Sequence, residues 1–246
     1  MNHLTKNDDF QQLDPHPGFT VSLDKPLEWT SFDLVNKIRF HLKYQWKLKK
    51  LKVGHAGTLD PLATGLVIVG VGKGTKILDH WMNKDKIYSG TIKLGSTTAS
   101  YDRETEETEV ISISHLNEEA ILAAVPDFTG EFFQKPPIFS AIKKEGTALY
   151  KIARRGETTE IAERPVHIKE LEILEYAPPF VKFRMRCSKG TYVRSFANDF
   201  GEALGVGGYL YDLRREQIGE QRVDEAFKIE EALEAFSLML PMEKKS

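Results

Sequence analysis

The sequence predicts an α+β fold, a single domain with a largely antiparallel mixed sheet flanked by helices. Some short stretches alternate between apolar and polar residues or stay aliphatic throughout, as strands do. Others carry apolar residues at helical spacing, and the two kinds follow one another without the regular strand–helix alternation of a doubly wound sheet. No internal repeat and no sharp break in composition divides the chain. One domain over residues 19–246 is therefore expected, behind a flexible leader at 1–18 in which Pro15 and Pro17 break regular structure.

Phe19 to Leu23 alternates as a strand and runs into a turn at Asp24-Lys25-Pro26. Thr30-Ser31-Phe32-Asp33 fits a capping box, and Val35, Ile38, Leu42 and Trp46 continue it at helical spacing, so a helix is expected over about 31–45. Val53 to Gly65 reads as a Gly- and Pro-containing loop, and Leu66 to Val71 as a buried strand. A short helix near 75–83 and a strand at Ile87 to Leu94 follow. Asn117 opens a helix that Pro126 stops, and Thr147 to Arg154 forms another that ends at Gly156. Two longer strands, about 166–176 and 180–187, are joined by Ala177-Pro178-Pro179. Tyr192 to Leu204 is helical with Gly205 at its end, and Ile229 to Phe236 makes a last amphipathic helix.

The 246 residues carry 34 Lys+Arg and 36 Asp+Glu, a net charge of −2, with 41% hydrophobic residues, enough for a core without staples. The single cysteine, Cys187, excludes an internal disulfide and a multi-cysteine zinc site. The longest apolar run, Leu66 to Val71, is far below the roughly 18 residues that span a bilayer. Residues 1–18 are polar and lack the apolar core of a signal peptide, which points to a cytoplasmic protein with no membrane partner. A near-neutral balance would ordinarily argue against nucleic acid. The charges are segregated, however. Residues 34–59 hold seven basic and no acidic residues, 101–131 hold nine acidic and one basic, and basic blocks return at 135–155 and 182–194. Any one run is as readily a solvated face, but together they suggest a polyanion-binding surface opposite an acidic face.

The most informative segment is Gly54-His55-Ala56-Gly57-Thr58-Leu59-Asp60-Pro61-Leu62-Ala63-Thr64-Gly65. Glycines permit tight turns and Pro61 stiffens the bond after Asp60, so this acid stands in a preformed, partly apolar setting. Such a carboxylate suits an acid, base or nucleophile, although on spacing alone an ordinary Asp-Pro turn is the simpler reading.

The string from Gly54 to Lys76 resembles the signature loop of the bacterial tRNA pseudouridine-55 synthases of the TruB type. The similarity extends through Asp24-Lys25-Pro26 with Thr30-Ser31, Lys86-Ile87-Tyr88 to Gly95, and Pro136 to Lys143 with Gly146 and Leu149-Tyr150. It continues through Cys187 to Arg194 and Leu213-Arg214-Arg215, all in the family's order over about residues 20–215. The resemblance implies a pseudouridine-synthase-like fold and isomerisation of uridine 55 in the tRNA T loop. It implies no metal or organic cofactor, the T stem-loop as partner, and no obligate protein partner. Asp60 takes the place of the catalytic aspartate, acting on C1′ as a nucleophile or removing a sugar proton to give a glycal. Arg194 takes the place of the arginine that pairs with it, a cation offsetting the desolvation of a carboxylate in a dry pocket. Tyr88 would stack on the target base, Tyr192 and Leu213 would complete its pocket, and His55 would fill space beside the flipped nucleotide.

Three departures stand out. In Thr98-Ala99-Ser100-Tyr101-Asp102 the second Thr of the family pattern is Ser100 and a following glycine is absent, which leaves the loop's conformation open. Phe139 stands where Tyr is common. Only about thirty residues follow Arg215, so no separate C-terminal RNA-binding domain is expected. Two rival readings are weaker. Gly70 to Thr75 fails the P-loop pattern twice, since Val67 stands where its first glycine should and Gly74 follows Lys73. A non-catalytic RNA-binding module would leave Asp60 and Arg194 without a role.

Overall fold

The computed structural model describes residues 2–8, 18–108, 110–144 and 146–239. In chain order, β1 (Asn2–Leu4) and β2 (Phe19–Lys25) precede α1 (Ser31–Gln45), followed by β3 (Val53–His55), β4 (Ala63–Val71), α2 (Leu78–Met82) and β5 (Lys86–Leu94). Next come α3 (Glu118–Ala124), β6 (Gly130–Gln134), the two-residue strands β7 (Lys143–Lys144) and β8 (Thr147–Ala148), and α4 (Leu149–Ala153). The remainder is β9 (Arg164–Ala177), β10 (Phe180–Cys187), α5 (Val193–Ala203), β11 (Gly208–Ile218), β12 (Gln221–Arg222) and α6 (Ile229–Ser237). β1 pairs in parallel with β2, whereas the β2–β4, β3–β4, β6–β9, β9–β10 and β11–β12 pairs are antiparallel. The fold is thus the mixed, largely antiparallel sheet with flanking helices that the sequence predicts. Among the described residues no helix is long and apolar enough to cross a membrane.

Within this fold the chain divides into two compact units, Met1–Ile87 with Arg214–Ser246, and Tyr88–Leu213. Composition carries no trace of the division, because both crossings fall inside strands, β5 and β11, with no linker to mark them.

In the first unit β2 lies antiparallel to β4 from Phe19 against Val71 to Lys25 against Gly65. Helix α1 starts as its sequence requires. Asp33 N–H donates to Thr30 Oγ1 at 3.0 Å, and Thr30 N–H donates back to Asp33 Oδ2 at 2.8 Å. The helix buries Leu34, Val35, Ile38 and Leu42, each contributing about 1.5–3 kcal/mol of apolar burial. Gln45 Nε2 then ties it to α6 by donating to the Phe236 carbonyl at 2.6 Å. On β4, Leu66 and Ile68 pack with Ala56, Leu78, Trp81, Ile218 and Ala226.

The N-terminal segment corrects one expectation. Asn2–Leu4 is a strand rather than a flexible leader, paired with Phe19 to Val21, and Leu4 is buried. The His3 ring sits 2.8 Å from Thr20 Oγ1 and 2.9 Å from Ser22 Oγ. Three residues are too few to show a strand period, so only the pairing reveals it. Residues 9–17, including Pro15 and Pro17, lie outside the described residues.

The second unit has strand order β5-β10-β9-β6, with α5 contributing Phe196 and Phe200 to an aromatic cluster shared with Phe128 and Phe183. Gly205 follows α5 with φ +72°, the left-handed termination expected there. Strands β6 and β11 are not legible in the sequence. In β11, Asp212, Arg214, Arg215 and Glu216 obscure the period, and one of them, Arg215, is itself buried. The expected helix near 75–83 is a 3-10 stretch, Gly72–Ile77, leading into the single turn of α2.

Gly65, the third residue of β4, has φ +107°, and a Cβ there would lie 2.4 Å from the Arg215 carbonyl oxygen. Gly65→Ala is expected to lose at least about 2 kcal/mol of stability, read as a lower urea midpoint at unchanged m.

Candidate active site

Asp60 lies half-buried in the turn between β3 and β4, and its neighbours are held from several sides. Ser31, the first residue of α1, takes both backbone groups of Leu59. Its Oγ accepts from Leu59 N–H at 2.8 Å and is 3.2 Å from the Leu59 carbonyl. The Pro61 carbonyl accepts from Glu28 N–H at 2.8 Å and from Lys25 Nζ at 3.4 Å. Arg215, reaching in from β11, donates Nε to the Leu66 carbonyl at 2.6 Å, with Nη1 and Nη2 each 3.4 Å from the Thr58 and Gly57 carbonyls. Asp60 is therefore carried between two anchored residues on a loop whose backbone is fixed by side chains.

These tethers bring three sequence motifs together in the first unit. Asp24 accepts a two-pronged contact from Arg214, 3.1 and 2.8 Å, and Arg214 also reaches Thr64 Oγ1 at 3.3 Å. Lys25 is fully buried, with Nζ also donating to the carbonyls of Pro26 (2.9 Å) and Trp29 (2.6 Å). Burial pushes its pKa down to about 8 against the pull of the Asp60 carboxylate, and the Arg215 charge lowers it further. His55 ends β3, and burial lowers its pKa below the ordinary histidine value, keeping the ring neutral at neutral pH.

In the second unit Arg194 is a buried cation in the first turn of α5, not a surface charge. Its Nη1 donates to the Ser100 carbonyl at 3.1 Å and Nη2 to the Phe139 carbonyl at 2.9 Å, while Nε is 3.6 Å from Asp102 Oδ2. Asp102 is oriented in turn by Ser100 Oγ at 2.6 Å and Glu104 N–H at 2.9 Å. The serine in place of threonine thus keeps the hydroxyl that the loop uses. The same loop is pinned further on by Glu107, which accepts from Lys93, Tyr209 and Ser96 and is held at about 2 chiefly by the Lys93 hydrogen bond. Tyr192 caps α5, and Gln134 of β6 brackets it, accepting from Tyr192 N–H at 2.8 Å and donating to its carbonyl at 3.1 Å. The Arg164 guanidinium lies 6.0 Å from the Tyr192 ring centre. Tyr88 on β5 and Leu213 on β11 are both buried.

The sequence-derived residues thus fall into two groups, Asp60 and His55 in the first unit, and Arg194, Tyr88, Tyr192 and Leu213 in the second. The anchoring residues Lys25, Ser31 and Arg215 stand inside the family-like motifs, but their roles are visible only in the structure, and Gln134 has no sequence signal at all. One expectation about charge is corrected. The basic run on β10 faces glutamates of β9, with Lys182 2.5 Å from Glu175, Arg186 3.2 Å from Glu170, and Arg184 opposite Glu172. That run is therefore compensated across the strands and is not an open polyanion surface. Among the described residues no three His, Cys, Asp or Glu side chains stand where they could hold a metal ion.

Residues 45–193 match the family model described as TruB family pseudouridylate synthase (N terminal domain). The chain is 48% identical over 214 residues to tRNA pseudouridine synthase B of Parabacteroides distasonis, covering 87% of this chain and 91% of the relative. It is 50% identical over 213 residues to the protein of the same name from Flavobacterium johnsoniae, covering 86% and 93%. The chain belongs to the TruB family of pseudouridylate synthases. Its fold is shared with a chain in the crystal structure of a Cbf5-Nop10-Gar1 complex, with TM-score 0.66 and 27% identity. That match covers 92% of this chain and 60% of the solved one.

In this TruB-family protein the loop anchors are the testable part of the geometry. Arg215→Met leaves the carbonyls of Gly57, Thr58 and Leu66 without their donor, and is expected to lower stability by about 3 kcal/mol in urea unfolding. Lys25 gives a pH signature. With a native pKa of about 8 against 10.5 for the free side chain, the unfolded chain binds more protons between those values, so stability rises with pH across that window. Urea midpoints of wild type and Lys25→Met from pH 8 to 10.5 should show the wild type gaining relative to the variant.

Proposed function

We propose that the chain converts uridine 55 in the T loop of tRNA to pseudouridine, with Asp60 as the catalytic carboxylate and no organic cofactor or metal. The observation that carries this reading is the anchored loop. Ser31, Glu28, Lys25 and Arg215 hold the backbone on both sides of Asp60, the preorganisation that a reacting carboxylate requires. The names of the relatives, tRNA pseudouridine synthase B, support tRNA as the substrate.

The reaction breaks the N1–C1′ bond, turns the uracil, joins C5 to C1′ and releases the C5 proton while N1 takes one up, so product and substrate are isomers. Asp60 serves it by attacking C1′ as a nucleophile or by taking a sugar proton to form a glycal, and either route begins from the carboxylate. The target base stands in a folded loop and is extruded to be reached. On the motif resemblance, Arg194 is the cation partnered with Asp60, Tyr88 stacks on the base, and Tyr192, Leu213 and His55 line its place. The buried setting of Arg194 supports a positioned role over a solvated one. A tRNA substrate, as the names of the relatives support, goes with a cytoplasmic setting.

Incubation with an unmodified tRNA transcript labelled with tritium at uridine C5 tests the reading, together with mapping of the product. Wild type should release tritium and place pseudouridine at position 55, whereas Asp60→Asn should bind the transcript and release none. Product from the variant would remove Asp60 from the mechanism, and product at another site would change the substrate position.

A further inference from the structure

The solvent face of α1 carries two large exposed rings. Phe40 is 68% exposed and Tyr44 89%, one turn apart on the same side of the helix. Helical spacing sets Lys37 and Lys43 beside them, and Lys47 follows just past the helix end. The C-terminal half of the outward face is therefore dominated by aromatic rings and ammonium groups, with Asp33 and Asn36 on the same side nearer the N-terminus. Single exposed apolar residues need no explanation, but neighbouring large rings without cover do. The lysines here are also uncompensated. Among the described residues none of Lys37, Lys43, Lys47, Lys49, Lys50 and Lys52 has a carboxylate partner, in contrast to Lys182, Arg186 and Arg154, which pair with Glu175, Glu170 and Glu104.

The end of the helix adds an independent sign. Leu48 N–H donates to the Lys43 carbonyl at 3.0 Å and Lys47 N–H to the Tyr44 carbonyl at 3.3 Å, closing α1 in a Schellman motif. The left-handed residue of that motif is Lys47, with φ +50°, where glycine is the favoured residue. Glycine would relieve the backbone there. The lysine keeps the strain and extends the basic stripe toward Lys49, Lys50 and Lys52.

We propose that this face, Phe40 and Tyr44 flanked by Lys37, Lys43 and Lys47, is a docking surface for the RNA substrate. The rings stack on unpaired or terminal bases and the lysines neutralise adjacent phosphates. Aromatic rings between cations fit a polyanion with exposed π-faces, which is what single-stranded or looped RNA presents. The inference rests on the reading of the chain as an RNA-modifying enzyme and adds a contact surface to it.

The test measures affinity for an unmodified tRNA transcript by fluorescence anisotropy at several salt concentrations. It compares wild type, Phe40→Ala/Tyr44→Ala and Lys47→Gly, with thermal melting and sedimentation of each. The double variant should bind about tenfold or more weakly. Lys47→Gly should bind several-fold more weakly, with a salt dependence shallower by about one charge, while melting at the same or a higher temperature. Lost affinity at undiminished stability separates RNA contact from a structural role. Unchanged affinity in both variants, with wild type binding and converting the transcript, would overturn the proposal. So would a change in sedimentation with RNA affinity intact, which would assign the face to a second copy of the chain. If wild type neither binds nor converts RNA, the functional reading fails first, and this surface with it.

Discussion

The anchoring of the loop backbone around Asp60 by buried side-chain donors is the constraint from which the first unit's arrangement follows. Backbone carbonyls that leave a sheet must be satisfied by something other than a neighbouring strand. Here the carbonyls of Gly57, Thr58, Pro61 and Leu66 are met by Arg215, Lys25 and the backbone N–H of Glu28, and Leu59 is met by Ser31. Two cations are consequently buried where an apolar residue would pack more cheaply. Their desolvation is tolerated because each makes three hydrogen bonds and the Asp60 charge lies near Lys25.

The same constraint explains why segments far apart in the chain carry related residues. Lys25 ends β2, Ser31 begins α1 and Arg215 lies on β11, yet all three reach the turn between β3 and β4. Asp24 pairs with Arg214, which reaches Thr64 at the start of β4. Replacing Lys25, Ser31 or Arg215 leaves a buried group unpaired, so these three act as a set. In the second unit the logic recurs on a smaller scale. Arg194 is held by carbonyls of Ser100 and Phe139 and faces an Asp102 that Ser100 orients.

Charge distribution acquires meaning only with such pairing. The net charge of −2 sums compensated and uncompensated residues. The basic run of β10 is matched by glutamates across the ladder, and Arg154 by Glu104, whereas the lysines of α1 and the segment after it have no carboxylate partner among the described residues. Three basic blocks of similar appearance in the sequence are physically different surfaces.

By itself the sequence determined the fold class, helix α1 with its capping box, the buried strand of β4, the β9–β10 pair and helix α5. All of these rest on local periodicity, caps and turns. It also singled out Asp60, and the motif resemblance added Arg194, Tyr88, Tyr192, Leu213 and His55. What only the tertiary structure decided was the strand at Asn2–Leu4, β6 and β11, the division into two units within strands, and the roles of Lys25, Ser31, Arg215 and Gln134. The reason is the same in each case. A strand of three residues, a charged strand that buries an arginine, and a serine that takes both backbone groups of Leu59 owe their places to partners remote in sequence. No local pattern records such partners.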